Sequence, residues 1–441
     1  MSLFVVYSAN GLANPCPVYE SSMWTSVVTQ STDRVRELPG YGCVGDVELA
    51  GTLPISPTTG LFYWFVESER HAANTPIVLW LNGGPGSSSL YGFFLENGPY
   101  EVLQEKGLPL KKRTTSWTKK AHYLVIDQPA GVGFSYGTNT SFANESVAMD
   151  QLYDALRRFY VKYPELLSHP LYIAGQSYAG KYIPQLAMRI IEHNQADLRI
   201  PLKAILIGDG WVNPLVQQSS DADFAYSHGL VDVQTRDQIH DLYEVCAKEI
   251  QERAPSTRLA HQRCGEMQRL IKQRSGCEHL TNIGTCEEPD AHAMIAYLHQ
   301  NAVRQALHVD PRAKAYATFD STVAERLVVG EQDSVAALYQ QLLNQRIHIV
   351  IYNGLNDATD SNFMGADRWI SALPWSKAHR FNHAPTCIWR VNGTIAGYVK
   401  STAGLTYIKI RDAGHLAPAD QPHRLLDLFG RVIDSQSFCV P

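Results

Sequence analysis

The 441-residue sequence contains no apolar stretch approaching the roughly 18–20 residues that cross a bilayer, and its densest basic cluster is the short run KKR at 111–113. The formal net charge is -5, so neither overall nor local charge favours a nucleic-acid partner. Apolar residues make up 45% and charged residues 18% of the chain, which is typical of a well-packed globular protein. We therefore expect no membrane span and no nucleic-acid binding.

The eight cysteines include no C-x-x-C pair, although Cys246, Cys264, Cys277 and Cys286 fall in one stretch. Zinc sites usually need closer pairs, so disulfides are the better interpretation, with the pairing left open. The histidine-rich segment 292–300 has no acidic or cysteine partners at ligand spacing, so we interpret its histidines as surface residues. We predict no metal site and no organic cofactor.

Three N-x-S/T sequons begin at Asn139, Asn144 and Asn392, and each is a candidate glycosylation site. With the disulfides, they favour the secretory route, with a vacuolar, lysosomal or extracellular destination. The opening MSLFVVYSANGLANP has too short an apolar run for a complete signal peptide. Either a leader has been removed, or the protein is not exported.

The chain shows no internal repeat and no low-complexity tract, but short apolar runs alternate with helical patterns. Such runs are typical of strands buried on both faces of a parallel sheet. They lie at 77–82, 121–127, 170–174, 203–208 and 347–352, with a more alternating run nearer the sheet edge at 405–410. Helical periodicity covers 143–162, 181–193 and 422–434. The alternation predicts an α/β fold with a doubly wound, largely parallel sheet.

Between 212 and 330 the pattern changes to charged, helical sequence without a convincing buried strand. This segment is predicted to be a mainly helical, disulfide-stapled cap, inserted between two parts of the sheet domain. The predicted division is 1–211 for the first part of the core, 212–330 for the cap and 331–441 for the second part.

Ser177 stands between small residues in IAGQSYAG, directly after an apolar run, as in a strand-to-helix elbow that exposes a nucleophile. A serine nucleophile needs a base and an orienting acid, which in an α/β-hydrolase follow in the order acid, then histidine. Asp357 and Asp360 follow the run 347–352, and His415 follows the run 405–410. The order and the positions at strand ends favour a triad.

The glycine-rich segment WLNGGPGSSS, residues 80–89, lacks the G-K-[ST] ending of a nucleotide-binding loop. It suits an oxyanion loop, where bare backbone amides must approach a developing negative charge. The candidate donors are the amides of Gly84 and of Tyr178, the residue after the nucleophile.

These motifs resemble those of the serine carboxypeptidases, the family of the lysosomal protective protein and of the vacuolar and plant carboxypeptidases. The matching segments run in family order from about residue 40 to the C-terminus: WLNGGPGSSS, ENGPY (96–100), DQPAGVGFSY (127–136), GQSYAGKYIP (175–184), NAVRQALHV (301–309), YNGLND (352–357) and AGYVKSTAGLTYIKIRDAGHLAPADQP (396–422). The resemblance implies an α/β-hydrolase fold with a cap and removal of C-terminal residues from peptides, usually best at acid pH.

Carried over residue by residue, the resemblance implies that Ser177 is the nucleophile, His415 the base and Asp357 the acid. One extra residue before NFMG keeps Asp360 open as the acid. Recognition of the substrate's terminal carboxylate would fall to five residues, namely Trp80, Asn82, Gly83, Glu96 and Gln176.

Three departures from the family pattern stand out. The family most often has glutamate where Gln176 stands, and an amide can donate a hydrogen bond at any pH, whereas a carboxyl must be protonated. We therefore expect affinity to fall less steeply toward neutral pH than is usual in the family, with Glu96 still imposing some loss. Ser87 and Ser361 stand where the family often has cysteines, so family disulfide connectivity does not transfer and low sensitivity to mercurials is expected.

Two alternatives to a peptidase remain at this point. A carboxypeptidase-like acyltransferase, or a hydrolase of non-peptide esters, would use the same triad, and Gln176 is the feature that favours it. A non-catalytic binding or chaperone-like partner would require a broken triad, whereas Ser177 and His415 are both present. The expected partner is a peptide with a free C-terminus, and the protein is expected to be a monomer or a homodimer.

Overall fold

The computed structural model describes residues 16, 28, 30–138, 141–194, 198–253, 258–402 and 404–439. The sequon at Asn139 and the first fifteen residues, on which predictions were made above, lie outside the described residues.

Within the described residues, ten strands form one sheet in the order β12-β13-β14-β11-β10-β9-β5-β8-β4-β3. The strands are β3 (Glu48–Ser56), β4 (Thr59–Val66), β5 (Ile77–Leu81), β8 (His122–Ile126), β9 (Leu171–Gln176), β10 (Leu202–Gly208), β11 (His348–Gly354), β12 (Thr386–Val391), β13 (Thr394–Thr402) and β14 (Leu405–Ile410). Two small ribbons pair β1 (Glu37–Leu38) with β2 (Gly42–Cys43) and β6 (Tyr100–Val102) with β7 (Leu110–Lys112).

The six runs predicted as strands form the parallel block β14-β11-β10-β9-β5-β8, which confirms the predicted sheet. Antiparallel strands extend the sheet at both sides, β4 and β3 beyond β8, and β13 and β12 beyond β14. The alternating run at 405–410 is thus the outermost parallel strand, but it is mostly buried, because the β12–β13 hairpin continues the sheet past it.

The helices connect the strands and cover the sheet. They are α1 (Leu90–Leu95), α2 (Glu145–Lys162), α3 (Ala179–His193), α4 (Pro214–Gln218), α5 (Asp221–Ser227), α6 (Val233–Arg253), α7 (Arg258–Ser275), α8 (His292–Leu298), α9 (Asn301–Ala306), α10 (Ser321–Leu327), α11 (Ala336–Asn344), α12 (Phe363–Ala372), α13 (Ala378–Asn382), α14 (Ala417–Asp420) and α15 (Pro422–Ile433). The helices predicted at 143–162, 181–193 and 422–434 are confirmed within two residues at each end.

Alternate residues of each central strand enter different cores, because successive side chains point to opposite faces of a sheet. Leu79 and Leu81 of β5 pack with α2 and α3, whereas Val78 and Trp80 pack on the other face with α1 and α15. Both faces are therefore covered, as predicted for a doubly wound sheet, and the six parallel strands deliver their carboxyl ends to one edge.

Between 212 and 330 the described residues form helices and turns, and a separate apolar cluster joins α5, α6 and α7. Met294, Tyr297 and Val303 pack instead on the sheet itself, in the same cluster as Trp80. The chosen boundaries of the cap stay a prediction.

All eight cysteines are paired, which confirms disulfides over zinc. The pairs are Cys16–Cys43, Cys246–Cys264, Cys277–Cys286 and Cys387–Cys439. Two of these bridges staple the helical segment. None of the helices in the described ranges is long and apolar enough to cross a membrane.

Candidate active site

Ser177 occupies the turn between β9 and α3 with φ at +60°, a left-handed conformation that is uncommon for a residue with a side chain. Its carbonyl accepts hydrogen bonds from the amides of Gly180 and Trp211, each at 2.9 Å. A Cβ at Gly175 would lie 2.2 Å from the carbonyl oxygen of Leu81, and one at Gly180 would lie 2.9 Å from the backbone of Trp211. The small neighbours are thus required by close backbone packing, and the predicted elbow is present.

His415 lies in the loop after β14, and its Nδ1 lies 2.9 Å from Oδ2 of Asp357. Oδ1 of Asp357 accepts a hydrogen bond from the amide of Thr359 at 2.9 Å, so both carboxylate oxygens are held. The backbone amide of His415 donates to the carbonyl of Thr281 at 2.6 Å, which anchors the loop on the helical segment. With Nδ1 donating to Asp357, Nε2 is left as the basic nitrogen of the ring.

Asp360, the alternative acid, makes no hydrogen bond to His415 within the described part of the chain. Burial, followed by the charges of Glu331 and Asp357, raises the pKa of Asp360 to about 7. Asp360 therefore acts on His415 through space, while Asp357 contacts it directly.

Burial alone would lower the pKa of His415, which is 9% exposed. The charge and hydrogen bond of Asp357, with smaller contributions from Asp360 and Glu96, outweigh burial and raise the pKa above the usual histidine value. The surroundings therefore stabilise the imidazolium, the form that a general base reaches when it takes a proton.

No hydrogen bond joins the Ser177 hydroxyl to His415 among the described residues. Catalytic hydrogen bonds are often long in a ligand-free site and shorten when substrate binds. The two residues follow β9 and β14, parallel strands of one sheet, so both lie at its carboxyl edge.

The loop after β5 packs directly on this elbow. A Cβ at Gly83 would lie 2.4 Å from the amide nitrogen of Tyr178, so glycine is needed for the contact. Gly84 has φ at +103°, and a Cβ there would lie 2.7 Å from the amide nitrogens of Gly86 and Ser87. In the part of the chain that the structure describes, no hydrogen bond occupies the amides of Gly84 and Tyr178. Both are available to an oxyanion.

Asn82, Glu96 and Gln176 form a buried cluster immediately beside the elbow. Nδ2 of Asn82 lies 3.2 Å, and Nε2 of Gln176 2.9 Å, from the same oxygen, Oε1 of Glu96. Oε2 of Glu96 and Oε1 of Gln176 are buried and have no hydrogen-bond partner among the residues that the structure describes. Burial raises the pKa of Glu96 to about 7, although its two amide partners lower it. The cluster thus has spare hydrogen-bonding capacity for a ligand.

Trp80 supports this cluster, because its indole Nε1 donates to Oδ1 of Asn82 at 2.8 Å. The amide of Gly92 donates to the same oxygen at 3.1 Å, and this orients the Asn82 amide with Nδ2 toward Glu96. Trp80 thus positions Asn82.

A cavity of about 360 Å³ opens beside Gly84. Its walls include Phe319 and the pair His261 and Glu331, whose hydrogen bond raises the pKa of His261. A larger cavity of about 860 Å³ lies between α2, α3 and α11 and contains none of the candidate catalytic residues. The smaller cavity thus connects with the candidate oxyanion loop, since Gly84 and Pro85 line it.

Sequence reasoning missed Asp209, the first residue after β10, which is fully buried and faces Asp357. The available signal was a carboxylate directly after a buried parallel strand, the same position relative to the sheet as Ser177.

Comparisons with known proteins give a consistent result. A family model described as serine carboxypeptidase matches residues 44–435. The chain is 34% identical over 387 residues to serine carboxypeptidase S10 family member 1 of Dictyostelium discoideum, covering 85% of this chain and 91% of the relative. It is 32% identical over 403 residues to the venom serine carboxypeptidase of Apis mellifera, covering 88% and 85% respectively.

Among solved structures, the chain is similar to a prohormone-processing carboxypeptidase of Saccharomyces cerevisiae. The TM-score is 0.78 at 25% sequence identity, and the match covers 88% of this chain and 91% of that one. Family and fold thus agree over most of the described chain.

Proposed function

The chain belongs to the serine carboxypeptidase family, and on this premise we propose that Ser177, His415 and Asp357 are its catalytic triad. The enzyme is a serine carboxypeptidase, and what we propose is which residues perform each step. The elbow at Ser177 and the 2.9 Å contact between His415 and Asp357 support the assignment.

In the proposed reaction, Oγ of Ser177 attacks the carbonyl carbon of the last peptide bond while Nε2 of His415 accepts the hydroxyl proton. The amides of Gly84 and Tyr178 donate to the resulting oxyanion. His415 then passes the proton to the departing amine of the C-terminal residue. Water, deprotonated by His415, attacks the acyl-enzyme, and His415 then returns the proton to Oγ of Ser177 as the acid product leaves.

Specificity for a free C-terminus is assigned to Glu96, Asn82 and Gln176, and this cluster is the observation that carries the proposal. Because Gln176 directly precedes Ser177, a carboxylate bound there would place the last peptide bond next to the nucleophile. A protonated Glu96 can donate a hydrogen bond to that carboxylate, and its raised pKa of about 7 keeps it protonated in mild acid. Trp80 orients Asn82 in this cluster, and Gly83 allows the loop after β5 to pack against the elbow.

The test compares an N-blocked dipeptide with its C-terminal amide, using a Ser177→Ala variant as control. We expect the last residue to be released from the free acid much faster than from the amide, and not at all by the variant. No cleavage of either substrate, with Ser177 still labelled by a fluorophosphonate, would favour acyl transfer or ester hydrolysis by the same triad.

The substrate is proposed to be a peptide, and the compartment an acidic or extracellular one on the secretory route. The four disulfides support such a compartment. Asn144 and Asn392 are exposed, as glycosylation requires. Oδ1 of Asn144 caps α2 by accepting from the amide of Val147 at 3.0 Å, which leaves Nδ2 for a glycan. A shift in mass on glycosidase treatment, lost when both asparagines become glutamine, would test these sites; Asn139 is proposed on its sequon alone.

A further inference from the structure

Asp209 is buried at the carboxyl edge of the sheet, at the end of β10, which lies between β9 and β11. Its backbone is left-handed, with φ at +43°, and its amide donates to the carbonyl of Tyr352 at 2.8 Å. Oδ1 accepts from the amide of Gly354 at 2.9 Å and from Nδ2 of Asn353 at 3.3 Å. The side chain is therefore fixed against the loop that carries Asp357.

The other oxygen, Oδ2 of Asp209, is buried and has no hydrogen-bond donor among the described residues. The carboxyl group lies within hydrogen-bonding reach of that of Asp357, which is also fully buried. Two ionised carboxylates in buried contact repel each other strongly, and such pairs hold a proton between them.

The proton belongs on Asp209 rather than on Asp357. Both oxygens of Asp357 already accept hydrogen bonds, from His415 and from the amide of Thr359, whereas Oδ2 of Asp209 is vacant. Burial, and then the charge of Asp357, raises the pKa of Asp209 well above the usual aspartate range. The phenols of Tyr352 on β11 and Tyr407 on β14 also face Asp209, and neither supplies a compensating positive charge.

We propose that Asp209 is a positioning residue of the active site, and that its protonated carboxyl donates a hydrogen bond to Asp357. The inference rests on the proposed triad, since it assigns Asp209 a role through Asp357. In this arrangement Asp209 holds the Asp357 carboxylate in place against His415, and the group next to that carboxylate is neutral and not a second anion.

The first experiment compares the Asp209→Asn variant with the unmodified enzyme through the acid limb of the kcat/KM profile, which reports the titration of His415. Asparagine tolerates the left-handed backbone, and its Nδ2 supplies a donor to Asp357 at every pH. A neutral residue would replace a neutral residue, so we expect the limb to move by less than about 0.5 pH unit and kcat to stay within about fivefold. If Asp209 were an anion, its removal would lower the limb by about one unit or more. A shift beyond 0.5 unit in either direction, or a larger loss of kcat, overturns the proposal.

The second variant, Asp209→Ala, removes the donor. We expect kcat to fall about 10- to 100-fold with KM nearly unchanged, because a misplaced catalytic group slows the chemical step while the carboxylate-binding cluster is intact. A folded variant with unchanged kcat overturns the proposal; if the variant does not fold, the asparagine comparison decides alone. Asp221→Asn is a matched control. Asp221 is also a buried carboxyl, but both of its oxygens accept hydrogen bonds from side-chain amides.

Asp357→Asn separates this inference from the triad itself. Loss of activity in Asp357→Asn with full activity in a folded Asp209→Ala overturns the role of Asp209 and leaves the triad standing. Full activity in Asp357→Asn overturns the proposed triad, and the role of Asp209 with it.

Discussion

Gln176 donates a hydrogen bond through Nε2 to Oε1 of Glu96 at 2.9 Å. Both side chains are buried, and of the two only Glu96 can ionise. The pKa of Glu96 is raised to about 7 by burial, so it is protonated in mild acid and ionised in mild base. A glutamate in place of Gln176 would add a second ionisable group to the same buried cluster. If this pair binds the substrate's carboxylate as proposed, the pH dependence of substrate binding follows from the titration of Glu96.

The first prediction concerns KM. As the pH rises through about 7, Glu96 loses the proton that it can donate to the substrate's carboxylate, so KM should rise by at most about tenfold per pH unit, the slope for one proton. Glu96→Gln should remove most of this rise, and Gln176→Glu should steepen it. KM for an N-blocked dipeptide, measured from pH 4.5 to 8.5, checks both variants. The exposed Glu105→Gln serves as control, and a KM that rises equally in all four proteins would contradict the assignment.

The second prediction separates the two candidate acids. Asp357→Asn should reduce kcat by about 10³- to 10⁴-fold, because the amide can stabilise the wrong imidazole tautomer and cannot stabilise the imidazolium. Asp360→Asn should have a far smaller effect, because Asp360 acts on His415 only through space. Kinetics of the two variants at one pH decide the matter, and a greater loss in Asp360→Asn would reverse the assignment.

The third prediction concerns stability. Burial raises the pKa of Glu48 to about 7 and that of Asp127 to about 6, so both stay protonated in the folded protein at pH values where the unfolded chain has released the proton. From about pH 4 to pH 7 the folded state thus binds more protons, and its stability falls as pH rises. His122, with a pKa lowered by burial to about 3, acts in the opposite direction but is outnumbered by the buried carboxyls Glu48, Glu96, Asp127 and Asp360.

We therefore expect a higher Tm at pH 5 than at pH 7.5, and a smaller difference in Glu48→Gln. Each such carboxyl changes the free energy of unfolding by up to about 1.4 kcal/mol per pH unit within its window. Thermal unfolding across this range provides the measurement. A Tm that increases from pH 5 to pH 7.5 would show that the buried carboxyls do not dominate.

The fourth prediction concerns thiol reagents. Every cysteine is disulfide-bonded, and serines stand at positions 87 and 361, so a mercurial should leave the activity unchanged. Ser87→Cys should make the enzyme sensitive, because a Cβ on the neighbouring Gly84 would lie only 2.9 Å from Oγ of Ser87. Residual activity after mercurial treatment is the readout. Inhibition of the unmodified enzyme would mean that a disulfide is open or that another group reacts.

The elements that the sequence predicted well are those encoded by local periodicity. The six parallel strands appear as short apolar runs, because strands buried on both faces must be apolar at nearly every position. The glycines around Ser177 were equally informative, because only a residue without a Cβ allows the approach of Leu81 and Trp211. The antiparallel hairpin β12–β13 was less visible, since it is half-exposed and carries no such continuous run. The antiparallel strand β4 was missed although it is fully buried and apolar from Leu61 to Val66.

By itself, the sequence determined the order of the six parallel strands, the chemical identity of the nucleophile, base and acid candidates, and the family to which the chain belongs. These depend on residue type and spacing along the chain. Only the tertiary structure decided which cysteines pair, that Asp357 rather than Asp360 contacts His415, that Gln176 donates to Glu96, and that Asp209 lies against Asp357. Each of these depends on the distance between groups far apart in sequence, which is set by how β9, β10, β11 and the helical segment between 212 and 330 pack together in three dimensions.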